Sequence, residues 1–195
     1  MKQFNTWERY FDTEHPKHKF EVMRHNWIID RVCGERILDV GCGDGLDLFL
    51  AGHKDFTREL HGIDIRKNLI DIADRKLVEV NKFFRLTVAD VSKIPMESNY
   101  FDCVICGETL EHVSDDKAVV DEMLRVLSPG GTLIVSVPDR GHLSKEHIRL
   151  YDKNLLSGLI GSAGVANGEY FEIREEATMP ASLSDFYLLL RAVKI

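Results

Sequence analysis

Five short runs rich in Val and Ile, spaced by segments of helical period, constrain this chain more than any other feature. The runs cover residues 36–40, 59–65, 83–89, 101–106 and 132–137. Helical patterning lies between them near 47–52, 68–80 and 115–127, and a further helix over 20–32 precedes the first run. In the segment 115–127, Val119, Val120, Met123, Leu124 and Leu127 form one apolar stripe at helical spacing, ready to lie on a sheet. Strand and helix in alternation, with strands apolar on both faces, predict a parallel sheet covered on each side. After Pro138 the rhythm changes. A helix over 153–163 is followed by strand-like segments at 170–175 and 185–195, parted by a loop holding Pro180. A loop of that length can join a hairpin, which predicts an antiparallel edge to the sheet.

The 195 residues suit one domain, with a helical lid or packing segment over 1–34 and a binding core over 35–195. Hydrophobic residues at 44% and charged residues at 29% describe a globular chain. Lys plus Arg total 25 against 32 Asp plus Glu, a net charge of −7 that argues against a broad nucleic-acid-binding face. A local basic mouth remains at His15, Lys17, His18, Lys19, Arg24 and His25. No run of 18 apolar residues is present, and the residues from Met1 to Glu8 are too polar for a secretory signal. The expectation is a cytoplasmic enzyme or binding domain. Cys33, Cys42, Cys103 and Cys106 are too few for a disulfide scaffold. Cys103 and Cys106 lie three apart in a strand and point to opposite faces, so they cannot chelate one metal.

The most informative segment is 37–45, where a buried strand runs into Gly41, Gly43 and Gly45 at alternate positions before a helix. Such loops at strand C-termini let the backbone approach a ligand closely. Leu46 stands where a dinucleotide fingerprint wants its third glycine, and Asp39 precedes the loop inside the strand. The next run ends at Asp64, the separation at which a carboxylate accepts both ribose hydroxyls; a helix cap is its plainer reading. Asp90 ends the third run, as a ligand group or as a turn residue.

Taken in order, these segments resemble a class I S-adenosylmethionine-dependent methyltransferase. The stretch 37–45 is similar to the family's cofactor loop, 101–108 to its fourth-strand motif, and 124–133, with Pro129, Gly130 and Gly131, to its entry into the fifth strand. The resemblance covers residues 36–195. It implies an α/β, Rossmann-like fold: a seven-stranded, mostly parallel sheet of order 3-2-1-4-5-7-6, strand 7 antiparallel, with helices on both faces. It implies S-adenosylmethionine as cofactor, with Asp64 on the ribose and Asp90 at the adenine amino group. The cofactor-binding set is Asp39, Gly41, Cys42, Gly43, Gly45, Asp64, Ile65, Asp90, Val91 and Cys106.

After the fourth run come Glu108, Glu111 and His112. A helical turn there would place all three on one face, where two carboxylates and an imidazole can bind a divalent cation. His142 and His147 follow in a polar loop past the fifth run. This pattern resembles two groups: ubiquinone-pathway O-methyltransferases acting on catechol-like rings, and small-RNA 3′-terminal 2′-O-methyltransferases, whose matching residues hold a metal. Residues 147–156 are similar to the former, and the acidic charge disfavours RNA. His112, His147 and Glu108 are the catalytic candidates; a cap at Glu108 and a loop-orienting role for His112 are the plainer alternatives. The leading expectation is methyl transfer to a small or medium organic acceptor at oxygen, with no metal and no nucleic acid. If a divalent metal is used, Glu108, Glu111, His112 and His147 are its ligands. Other readings are a metal-dependent RNA-modifying enzyme, a nicotinamide-dependent oxidoreductase and a non-catalytic cofactor-binding subunit that regulates a partner. A homodimer is left open. In the aromatic N-terminal segment, Phe20 and Trp27 are expected to pack on the sheet, with Tyr10 as a lid and Tyr10 or Arg24 near the methionine carboxylate.

Overall fold

The computed structural model describes residues 6–139, 145–164, 171–180 and 186–195. Two helices open it, α1 (Thr6–Phe11) and α2 (His18–Ile29). Strand and helix then alternate: β1 (Arg36–Val40), α3 (Leu46–Gly52), β2 (Glu59–Asp64), α4 (Lys67–Leu77) and β3 (Phe83–Val88). β4 (Phe101–Gly107), α5 (Asp116–Val126), β5 (Leu127–Pro138) and α6 (Lys153–Gly161) follow, and β6 (Phe171–Pro180) and β7 (Phe186–Lys194) close the chain. The sheet order is β3-β2-β1-β4-β5-β7-β6, parallel from β3 to β5, with β7 antiparallel to both neighbours. This is the expected topology.

Alternation along each strand divides the core in two. Leu38, Val40, Val104, Cys106, Leu133 and Val135 face one side, packed with the apolar stripe of α5 and with Leu156 and Ile160 of α6. Ile37, Cys103, Ile105 and Ile134 face the other, packed with Trp27 and Ile28 of α2, Leu48 of α3 and Leu77 of α4. Cys103 and Cys106 therefore lie in different cores, as period two requires. Trp27 is a core residue, as expected, while Phe20 is only half-buried. α5 and α6 start where a side chain satisfies an open N–H: Asp115 accepts from Ala118 N at 3.0 Å, and Asp152 from Leu155 N at 2.8 Å.

The two largest departures from the expected boundaries are in β5 and β6. β5 begins at Leu127, because the backbone stays extended through Pro129 and absorbs a register shift against β4 between Phe101 and Cys103. Pro180 ends β6 instead of lying in a loop. β6 is an edge strand, where a residue without an N–H costs no ladder bond. No helix of the described residues is long and apolar enough to cross a membrane.

Candidate active site

The strand order reverses between β1 and β4, and a cavity of 640 Å³ opens at the carboxyl ends of the parallel strands there. Open α/β sheets bind ligands at this place. Residues of α1, α2 and the start of β7 complete the wall.

On the β1–β3 side the backbone builds the site. Gly41 has φ +78°, and a Cβ there would lie 2.1 Å from Thr109 Oγ1; its N–H and that of Cys42 both donate to Ile63 O, at 2.8 and 2.9 Å. Gly43 has φ +53° and would place a Cβ in open space on the cavity wall. Asp64, 3% exposed, accepts from Gly43 N at 3.0 Å and Arg66 N at 2.8 Å. The Arg66 guanidinium also grips Asp64, with Nε 3.1 Å from Oδ1 and Nη2 3.1 Å from Oδ2. Asp39 is buried beneath the loop; burial first, then the charges of Asp47 and Asp64, push its carboxyl well above the usual range. Exposed Asp90 accepts from Ser92 N and Oγ at 2.9 and 2.8 Å, which hold its carboxyl low.

Asp44, inside the glycine loop, ties down the N-terminal segment. Its carboxylate accepts from Thr6 N at 3.0 Å and from Thr6 Oγ1, while Trp7 Nε1 donates to Asp44 O at 2.9 Å. Below this strap, Arg24 Nη2 donates to Glu21 Oε2 at 3.1 Å and lies 2.7 Å from His25 Nε2. Arginine can only donate, so Nε2 accepts, and His25 Nδ1–H donates to Asp47 Oδ1 at 2.7 Å. Arg24 is 4% exposed, lines the cavity, and its Nε has no hydrogen-bond partner among the described residues.

On the β4–β5 side, Glu108 sits at φ +49°, a conformation that costs a non-glycine residue about 1–2 kcal/mol. The twist lets its N–H donate to Ser136 O at 2.9 Å, while its carboxylate accepts from Ser136 Oγ at 3.3 Å. Burial, outweighing the nearby charge of Arg24, raises its carboxyl to about 7. A 3-10 turn over Leu110–His112 follows. Glu111, 1% exposed, has no hydrogen-bond partner at either carboxylate oxygen among the described residues. Burial, then the charge of Glu108, pushes it well above the ordinary value. His112 Nδ1–H donates to Glu146 O at 3.0 Å, which leaves Nε2 as the lone-pair nitrogen of the neutral ring, 3.7 Å from Glu111 Oε1. Ile148 N donates to Glu111 O at 2.9 Å, pinning the returning chain so that the His112 and His147 ring centroids are 5.1 Å apart.

The expected single face of Glu108, Glu111 and His112 is therefore not what forms. Ligand atoms of Glu111, His112 and His147 lie within 4.8 Å of one another, and Glu108 is outside that group, because its left-handed backbone turns it toward Ser136. Of the expected cofactor residues, Asp39, Gly41, Cys42, Gly43, Asp64, Ile65, Asp90 and Val91 line the cavity. Gly45 and Cys106 do not: Gly45 sits against Ala73 of α4, and Cys106 is wholly buried in the core. Arg24 lines the cavity, whereas Tyr10 turns its hydroxyl to Asn26 Oδ1 at 3.1 Å. His142 lies outside the described residues. Sequence reasoning missed Asp44, Asp47, Arg66 and Tyr187, all on the cavity wall. Asp47, one residue into the helix after the glycine loop, had a positional signal; Tyr187, from the last strand, had none.

The sheet order is that of the class I S-adenosylmethionine-dependent methyltransferase fold. The chain belongs to the methyltransferase-domain family, whose pattern matches residues 38–135. It is similar to the ubiquinone biosynthesis O-methyltransferase of Pseudomonas fluorescens strain Pf0-1, 33% identical over 138 residues, 69% of this chain and 58% of that protein. The enzyme of the same description from Marinobacter nauticus is 30% identical over 157 residues, 78% of this chain and 61% of that one. In fold it resembles geranyl diphosphate C-methyltransferase from Streptomyces coelicolor A3(2), with TM-score 0.76 and 15% identity, covering 100% of this chain and 84% of that chain. The chain thus spans less than two thirds of the length of the two curated relatives.

The residues fit the family's cofactor. The open side of Gly43, the Nε of Arg24, buried without a hydrogen-bond partner among the described residues, and the carboxylate of Asp64 belong to residues that line one cavity. Together they offer close backbone approach, a cation for a carboxylate and acceptors for a diol.

Proposed function

We propose that this chain methylates a hydroxyl of a small or medium organic acceptor, working as one methyltransferase domain with 1–34 as its cover and 35–195 as its core. The observation that carries the reading is Glu108: a carboxyl at the cavity end of β4 with a pKa of about 7. A general base works best when its pKa lies near the working pH. S-adenosylmethionine supplies a methyl group already activated by its positive sulfur. The chain's own task is to hold the acceptor oxygen in line, exclude water and take the proton. In this reading Asp64 accepts the ribose hydroxyls, Asp90 meets the adenine, and the loop Gly41–Gly45 over Asp39 carries the methionine part. Arg24 pairs with its carboxylate. Ile65 and Val91 flank the adenosine, Glu108 accepts the proton, and His112 with His147 orients the acceptor. The ubiquinone-pathway relatives support oxygen as the methylated atom.

The test is calorimetric titration with S-adenosylhomocysteine, with Mg²⁺ and again with EDTA, then a panel of catechols, acids and amines with a labelled methyl donor. Binding plus labelled catechol supports the proposal. No binding in either buffer removes the cofactor reading; label on amines alone removes oxygen.

One observation favours a second, metal-assisted reading. Glu111, His112 and His147 converge, Glu111 is buried without a hydrogen-bond partner among the described residues, and His112 is anchored through Nδ1 so that Nε2 can ligate. A divalent cation held there would orient adjacent hydroxyls of the acceptor. Turnover lost on chelation and restored by Mg²⁺ or Mn²⁺ supports it; equal rates in EDTA overturn it.

A further inference from the structure

A carboxylate has about four lone-pair sites. On Asp64, two are taken by backbone donors, Gly43 N at 3.0 Å and Arg66 N at 2.8 Å. The other two are taken by the Arg66 side chain, Nε and Nη2, each at 3.1 Å. The protein's own donors saturate Asp64. A ribose diol also brings two O–H donors, and they can bond to this carboxylate only where the guanidinium now lies.

The two kinds of donor differ in freedom. Gly43 N is fixed by the loop, and Arg66 N by the start of α4, where Leu69 N donates to Arg66 O at 3.0 Å. The Arg66 side chain is 53% exposed against 3% for Asp64, and both residues line the cavity. The guanidinium can swing into water; the backbone donors cannot.

We infer that Arg66 is an internal competitor for the ribose-binding face of Asp64, so that cofactor exchange swaps a guanidinium fork for a pair of ribose hydroxyls. The inference rests on the proposed ribose role of Asp64. The swap breaks no covalent bond and moves no proton. When the nucleoside leaves, Arg66 returns, and the buried carboxylate is never left short of hydrogen-bond donors. Arg66 also lowers affinity for cofactor and product alike, which speeds release of the spent cofactor. The ion pair is partly exposed, so salt screens it. A neutral nucleoside should therefore bind more tightly as salt rises, the reverse of what direct ionic recognition gives.

The experiment titrates adenosine, which is uncharged, into the full chain at low and high salt, for the wild type and for Arg66→Ala, Arg66→Lys and Asp64→Asn. Thermal melts of all four report folding. Arg66→Ala should bind adenosine about three- to fivefold more tightly at low salt, the gain expected from removing an exposed ion pair, and lose the salt dependence. Arg66→Lys, a point charge without the fork, should fall between. In stopped flow, S-adenosylhomocysteine should leave Arg66→Ala more slowly than wild type. Unchanged or weaker adenosine binding by a folded Arg66→Ala overturns the competition. Asp64→Asn separates the two ideas. If it leaves adenosine affinity unchanged, the ribose role fails and the competition with it. If it weakens binding while Arg66→Ala does not tighten it, the competition alone fails.

Discussion

The two halves of the ligand edge are built differently. At the β1–β3 ends, Asp64 and Asp90 are hydrogen-bonded by donors at most two residues away or by the neighbouring glycine loop. At the β4–β5 ends, Glu111 is buried without a hydrogen-bond partner among the described residues, Glu108 is held in a left-handed turn, and two histidines meet from separate segments. A buried unpaired polar group costs about 1–3 kcal/mol and persists only where something compensates. In the proposed function the first half, ordered by the backbone, takes the cofactor, and the second half holds polar groups whose partners would come with the acceptor or a cation.

That contrast can be broken or sharpened by substitution. The largest effect is expected at Asp64: Asp64→Ala should weaken S-adenosylhomocysteine binding about a hundredfold by calorimetry, while Glu111→Gln should leave it unchanged. A large loss from Glu111→Gln would merge the halves into one site. Next comes Glu108→Gln, which should slow methyl transfer about a hundredfold with cofactor affinity retained. The wild-type rate should fall as pH drops below about 7, where Glu108 takes up a proton, and the pH profile of the variant should lack that limb.

Two glycines of one loop test the backbone half. Gly41→Ala drives a methyl into Thr109 at a strained φ and should cost about 3 kcal/mol by urea unfolding. Gly43→Ala meets open space and should cost about 1 kcal/mol, yet crowd the cavity and weaken cofactor binding. Equal stabilities would show that the clash with Thr109 is relieved by local movement.

The smallest effect is a pH-dependent shift in melting. The folded state raises the Glu108 carboxyl from its ordinary 4.5 to about 7, so its contribution to stability is complete below the ordinary value and lost as pH rises through about 7. Glu108→Gln should therefore melt about 2–4 °C above the wild type on the alkaline side of that value and gain nothing in acid. A gain that is the same at every pH would show that the ionised carboxylate is not what costs stability.

Much of the cofactor half was legible in the sequence, because its signals are local. The glycines of 41–45 and the two acids Asp64 and Asp90 each lie within a few residues of the end of their own strand, and the chain has only to fold strand by strand to align them. The acceptor half was legible as residue types and misread as geometry. Glu108, Glu111 and His112 share a helical spacing, but the chain forms a left-handed residue and a 3-10 turn there, which separates Glu108 from the other two.

The sequence by itself determined the order of elements, both core faces and the glycine loop with its acids, because periodicity and turn chemistry act over a few residues. Only the tertiary structure decided that His112 meets Glu146 across 34 residues, that Arg24 of α2 lies 5.3 Å from the ring of Tyr187 in β7, and that Arg66 turns back onto Asp64. The first two pairings exist because the strand order brings the ends of β4, β5 and β7 together beneath α2. The third exists because burying Asp64 leaves its carboxylate in need of donors, and the nearest mobile one is Arg66.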